Sequence, residues 1–407
     1  MPLLTNISHL YTCAGDTQGD VGHIADAALA WEGATVRWAG PAAELPAEYS
    51  GWEREDAGGA IVVPGLVDCH THLAFGGWRA ADFERRIRGE SYLQIAQAGG
   101  GISSTVARTR ELTEDQLADR AAGFLEDVTP LGVTTVEAKS GYGLTVEDEL
   151  KTLRAYRALA QRQAVRVVPT FLGAHTVPPE YKDRRGEYVR LVIERMLPAV
   201  AREGLAVFCD AFVEQSAFTH EEARAIFSAA KGVGLVPKLH ADQLTANGGA
   251  ELAAEVGAAS ADHLEHVGQA GIAAMARAGV VAVSLPLATL YLNARPLPAR
   301  ALLDAGVPVA VATDFNPGSA PSWHLPLAMM LACTLQRMTP AEVLVGATRV
   351  AARALRLDDR IGSLRPGYQA DFALLEADDL TQWLYHFRPN ACVRTVVAGR
   401  TVWSAVG

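Results

Sequence analysis

Short apolar runs bounded by Gly and Pro alternate with amphipathic stretches along most of the 407-residue chain. The runs are GLVDCHTH (65–72), GVTTVEAKSG (132–141), VRVVPTFLGAH (165–175), AVFCDAFVEQ (206–215), GLVPKLHADQ (234–243), SADHLEHV (260–267), GVVAVSLP (279–286) and GVPVAVATDFNPG (306–318). Most are continuous rather than alternating, the pattern of parallel strands buried on both faces. Helical spacing fills the intervals. Between Thr145 and Gln163, Leu150, Leu153 and Tyr156 fall on one face, and Thr219 with Glu222 three residues on signals a capped helix reaching Lys231. Eight such units over about 250 residues predict an α/β chain with a (β/α)8 TIM barrel. A doubly wound sheet is the competing arrangement. Its phosphate fingerprint is missing, because Gly99-Gly100-Gly101 follows a polar segment and not a strand.

The flanks read differently. ALAWEG (28–33) and TVRWAG (35–40) on one side, and DFALLEA (371–377) and VRTVVAGRTVW (393–403) on the other, are strand-like and punctuated by turns. Neither flank is long enough for a comfortable core of its own. Residues 1–60 and 362–407 are therefore expected to pair into one small β-sandwich domain, leaving 61–361 as the barrel. The 73–131 interval exceeds what one helix needs, which makes it a candidate substrate loop or lid.

Composition narrows the function classes. Lys and Arg total 36 against 46 Asp and Glu, a formal charge of −10, so nucleic-acid and anionic-membrane partners are not expected. No run of 18 apolar residues and no secretory leader is read, and five scattered cysteines without a CxxC suit a reducing, cytoplasmic setting.

The chemistry gathers at strand ends. His70 and His72 stand two apart at the end of the first run, so both point to one face and can hold one metal. His175, His240, His263 and Asp314 fall at or near the ends of the third, fifth, sixth and eighth runs. In a (β/α)8 barrel the strand C-termini surround one site, so these residues converge there. Imidazole and carboxylate donors suit zinc or ferrous iron and imply metal-assisted hydrolysis. Lys139 lies on the second strand and reads as structural, which favours one metal over two; His266, three beyond His263, reads as lying outside the site.

PGLVDCHTHLAF (64–75), HADQ (240–243) and TDFNPGS (313–319) resemble the amidohydrolase superfamily. FGGWR (75–79), GESYLQIAQAGGGI (89–102), EAKSGYGL (137–144) and FLGAH (171–175) resemble, within it, the ring-opening hydrolases of histidine degradation. That resemblance implies metal ligands His70, His72, His240 and Asp314 for one zinc or iron ion per subunit. It implies a small-molecule substrate, 4-imidazolone-5-propanoate, met by Arg79, Tyr92, Tyr142 and His175, with Asn316, Gly318 and Ser319 contacting substrate or product. It also suggests a homodimer. A guanidinium and phenols suit a propanoate tail, and His175 or His263 could donate to the developing oxyanion. Asp314 is placed as the proton carrier.

Two positions depart from the pattern. Gln243 stands where Glu is usual, and an amide cannot shuttle a proton, so Gln243 is read as a ring-orienting residue, with transfer left to Asp314 and His263. Asp82 in ADF (81–83) replaces a Glu but keeps the charge. A heterocycle deaminase would want that Glu, another cyclic-amide hydrolase on a carboxylate-bearing substrate remains an alternative, and an inert scaffold would not need all four ligands.

Overall fold

The computed structural model of the chain describes residues 1–90, 94–95, 98–214 and 217–405. Each of the eight apolar runs contains a strand: β1 (Leu66–Asp68), β2 (Val133–Lys139), β3 (Arg166–Ala174), β4 (Phe208–Val213), β5 (Val236–Ala241), β6 (Ser260–His263), β7 (Val281–Ser284) and β8 (Val309–Val311). They pair in parallel and in sequence order. β2 is buried at every position, which is why its sequence does not alternate.

Closure of the barrel runs through named contacts. Asp68 accepts from the Thr313 backbone at 3.1 Å and from its hydroxyl at 2.6 Å, fastening the end of β1 to the segment after β8. Beyond that, the Asp314 amide donates to the His70 carbonyl at 3.0 Å, and the His72 amide donates to the Phe315 carbonyl at 2.8 Å. The same contacts that close the sheet therefore bring His70, His72 and Asp314 together, although 242 residues separate His72 from Asp314.

The helices start where their caps predict. Thr145 accepts from the Asp148 amide ahead of Val146–Arg162, and Thr219 with Glu222 forms a full capping box ahead of His220–Gly232. The 73–131 interval holds the described α-helices Ala80–Ile87, Ile102–Glu111 and Glu114–Val128, and a short 3-10 helix, Thr129–Leu131.

The two ends of the chain share one mixed eight-stranded sheet. Its strand Ile61–Pro64 pairs antiparallel with Phe372–Leu375 and parallel with Pro2–Tyr11, and β1 begins two residues after it ends. Alternation sorts its side chains. Ile61 and Val63 join the barrel core, whereas Val62 packs with Leu10, Leu29, Trp31 and Phe372 in a core belonging to the sheet. All five cysteines are free, and four are buried. Among the described residues no helix is long and apolar enough to cross a membrane.

Candidate active site

Four candidate ligands meet at the C-terminal mouth of the barrel. The donor atoms of His70, His72 and Asp314 lie within 4.8 Å of one another, as do those of His70, His240 and His263. Asp314 Oδ1 stands 3.4 Å from His70 Nε2 and 3.6 Å from His72 Nε2. On their other edges, His70 Nδ1 is 2.6 Å from Asp262 and His240 Nδ1 is 3.1 Å from Asp210. A carboxylate accepts, so each Nδ1 carries the proton and each Nε2 keeps its lone pair. Those two Nε2 atoms are buried without a hydrogen-bond partner. Burial, reinforced by Lys139 near His70 and by His175 near His72, pushes both imidazoles well below the usual histidine range, so they stay neutral. Neutral, unpartnered nitrogens facing a carboxylate fit a divalent zinc or iron ion.

Behind this cluster lies a layer of charge that the sequence reading reached only at Lys139. The Lys139 ammonium is fully buried, 2.7 Å from Asp210 and 2.9 Å from Glu137, and Lys238 stands 2.9 Å from Glu137. Glu137, Asp210, Lys238 and Asp262 were legible in principle. Each lies on a strand buried at that position, and a buried charge must be paired.

The opposite wall of the pocket is carried by loops. Phe75 is buried, and its ring centroid lies 5.7 Å from that of Phe315, so the FGGWR segment packs on the loop that holds Asp314. Gly76 is required there because a Cβ would collide with the Arg108 backbone. Arg79 then reaches the pocket, and its Nε is buried without a partner. Gly318 gives it room, since a Cβ at that position would overlap the guanidinium. Tyr142 lines the same pocket on a loop held by Glu149, which accepts from the Gly141, Gly143 and Leu144 amides at 3.1, 2.9 and 2.8 Å. Burial raises the Tyr142 phenol above its usual range, so it remains a hydrogen-bond donor.

His175 Nδ1 lies 3.0 Å from the Gly141 carbonyl and must donate to it. Burial lowers its pKa to about 3, which leaves Nε2 a neutral acceptor. Of the two histidines named above as oxyanion donors, His263 is thus the better suited. It lines the pocket with Nδ1 3.7 Å from Glu265, and although burial opposes it, the Glu265 carboxylate raises its pKa. Glu265 is a further residue that the sequence reading passed over. His263 and Asp314 both take left-handed backbone, at φ 79° and 56°, a conformation that non-glycine residues adopt at a cost and that clusters at active sites.

Asn316 and Ser319 line the pocket, but their polar atoms serve the turn. The Asn316 amide donates to the Asp314 carbonyl and the Ser319 hydroxyl, at 2.6 and 2.9 Å, and its oxygen accepts from the Gly318 and Ser319 amides, both at 2.8 Å. Ser319 Oγ is in turn 3.4 Å from Asp314 Oδ2. Gln243 is half-buried and lines the pocket just beyond β5. His266 is half-buried and does not line it. Asp82 accepts from the Gly101 amide at 2.8 Å, tying the glycine run to Ala80–Ile87. Tyr92 lies outside the described residues.

A (β/α)8 barrel with histidines and an aspartate converging at its C-terminal mouth defines the class of metal-dependent barrel hydrolases. The Amidohydrolase family model matches residues 61–402. The imidazolonepropionase of Cupriavidus taiwanensis is 50 % identical over 378 residues, covering 93 % of this chain and 91 % of its own. That of Paracoccus denitrificans is 48 % identical over 388 residues, covering 95 % and 97 %. Two solved structures share the fold at low identity. Escherichia coli guanine deaminase has a TM-score of 0.75 at 16 % identity over all of both chains, and an adenosine deaminase from Xanthomonas campestris with bound zinc has 0.70 at 19 % over 98 % and 92 %. The chain belongs to the amidohydrolase family and, within it, to the group of the imidazolonepropionases.

Proposed function

We propose that this chain is a cytoplasmic hydrolase that opens the ring of 4-imidazolone-5-propanoate to give N-formimidoyl-L-glutamate, a step of histidine degradation. The observation that carries the reading is the pairing, in one pocket, of a guanidinium and a phenol, Arg79 and Tyr142, with His72, His240 and Asp314, and with His70 clustered against them. His70, His72, His240 and Asp314 would hold one zinc or iron ion per subunit, which when bound would supply Lewis-acid polarisation of the ring carbonyl and activation of water near neutral pH. A neutral heterocycle would have no use for Arg79.

The protein groups divide the remaining work. Arg79 forks onto the propanoate and Tyr142 donates to it, with Tyr92 as a further partner. The neutral Nε2 of His175 accepts from the ring N–H. Gln243 orients the ring through its amide. Asp314 takes the proton from the attacking water and delivers it to the ring nitrogen as the carbonyl carbon–nitrogen bond breaks. His263, with Glu265 behind it, donates to the developing oxyanion. Asn316 and Ser319 hold Asp314 in its strained turn, and Gly318 keeps Arg79 in reach. Incubation with enzymatically generated imidazolonepropionate tests the reading: its ultraviolet absorbance should decay in a metal-dependent way, and no such decay overturns the assignment.

A further inference from the structure

The ring-opening reading leaves the buried lysine of β2 without a role. Lys139 Nζ lies 2.7 Å from Asp210 Oδ2 and 3.6 Å from Asp262 Oδ2, with all three side chains fully buried. Asp210 and Asp262 are the carboxylates that accept from His240 and His70. Among the described residues, Lys139 is the one cation paired with both. Both lysines also meet Glu137 at 2.9 Å, but Lys238 lies 4.0 Å from Asp262, bonds the Cys69 carbonyl at 3.1 Å and has no pair with Asp210; the Ser260 hydroxyl, which donates to the other oxygen of Asp262 at 2.6 Å, does not link the two carboxylates. The Lys139 carbonyl is itself fixed, accepting from the Tyr156 hydroxyl at 2.9 Å.

We propose that Lys139 is a positioning residue of the metal centre: one ammonium holds Asp210 and Asp262, and through them turns the rings of His240 and His70 so that both Nε2 atoms face the cation before it arrives. Three buried carboxylates, Glu137, Asp210 and Asp262, face two ammonium groups, Lys139 and Lys238. Without Lys139 they face one, and that one does not reach Asp210. Asp210 and Asp262 would then turn away from each other or take up protons, and neither response keeps both imidazoles in register. A fixed ammonium costs nothing to assemble when the ion binds, which is the use of preorganisation at a metal site. Its placement between the two carboxylates also fills with protein charge a space in which acidic groups would otherwise attract a second cation.

This inference rests on the ligand set proposed above, and its test separates the two. Apo-protein, stripped by a chelator, is titrated with zinc against a chromophoric competitor, and thermal midpoints are recorded in parallel. Lys139→Met should lose about 10- to 100-fold in zinc affinity, the range for outer partners of metal-bound histidines. Lys238→Met, which also removes a buried charge but does not touch Asp210, should lose less than about threefold, even though both variants melt earlier. Equal losses in the two variants, or wild-type affinity in Lys139→Met, overturn the proposal. A wild-type protein that binds no zinc or ferrous iron instead overturns the ligand set. Should Lys139→Met fail to fold, nitrogen chemical shifts of the histidine rings in the wild-type apo-protein decide. His70 and His240 should both be Nδ1–H tautomers in the absence of metal, and an Nε2–H ring at either position contradicts the arrangement.

Discussion

The two walls of the pocket are built in different ways. The proposed ligand wall stands on or just beyond strand ends, and two of its histidines, His70 and His240, are braced by buried carboxylates and a buried ammonium. The wall assigned to the substrate tail stands on loops, positioned by aromatic packing around Phe75 and by glycines that admit close approach at Gly76 and Gly318. Strand ends fix direction through hydrogen-bonded register, whereas loops fix it through shape. The lesson is that the chemistry which must be held tightly is placed at the ends of the sheet, and recognition of the substrate tail is placed on loops, where the chain can change without disturbing the barrel.

Asp314→Ala strikes the proposed ligand wall at its one carboxylate and removes the residue proposed as proton carrier as well. Turnover should fall by at least about 10³-fold, measured as kcat on the imidazolone, with bound metal determined by elemental analysis. Activity within tenfold of wild type would contradict the role given to it.

Arg79→Ala strikes the loop wall alone. It should cost about 2 to 5 kcal/mol in kcat/KM, as for truncation of one partner of a desolvated charge pair, while metal content stays at the wild-type level. Loss of metal in this variant would show that the two walls are not independent.

Glu265→Gln is a milder change at the seam between the walls. The Glu265 carboxylate raises the pKa of His263 against the opposing effect of burial, so removing its charge lowers that pKa. Wherever activity requires protonated His263, the alkaline limb of the kcat/KM profile should then move to lower pH. A limb that stays in place would remove His263 from the proton inventory.

Glu222→Ala touches neither wall. It breaks the capping box of His220–Gly232 and the pair with Arg185, and should cost about 1 kcal/mol of stability with activity unchanged. Burial works against it, but Arg185 and the Thr219 amide hold the Glu222 carboxyl below its ordinary 4.5. Its contribution is therefore complete above about pH 4.5 and is lost as pH falls through the depressed value, so wild type and variant should converge in acid.

The same contrast explains what the sequence disclosed. The eight barrel strands were legible because most strands buried on both faces read as continuous apolar runs, and the convergence of His70, His72, His175, His240, His263 and Asp314 followed once strand ends were known to share a site; the choice of four ligands among them came only through resemblance. The pairing of the chain ends was also legible, from flanks too short to fold alone. Arg79 and Tyr142 were not recoverable from periodicity, because loop residues carry no pattern; the motifs FGGWR and EAKSGYGL pointed to them only through resemblance. Asp210, Asp262 and Lys238 were missed although each is a charge on a buried strand. Their partners come from different strands, so the pairing is visible only after the barrel closes. Asn316 shows what a motif leaves out: its place there suggested contact with substrate, and the structure sets it in the pocket wall with its amide also folding the turn that carries Asp314.

The central claim is that the pocket hydrolyses a ring amide and does not remove an amino group, although relatives of the same fold include deaminases. Metal-loaded protein supplied with 4-imidazolone-5-propanoate, with products followed by proton NMR and a coupled ammonia assay, tests that claim most directly. One equivalent of N-formimidoyl-L-glutamate per substrate consumed, with no ammonia released, is the predicted result. Ammonia released in step with substrate loss, or no formimidoyl product at all, would contradict it.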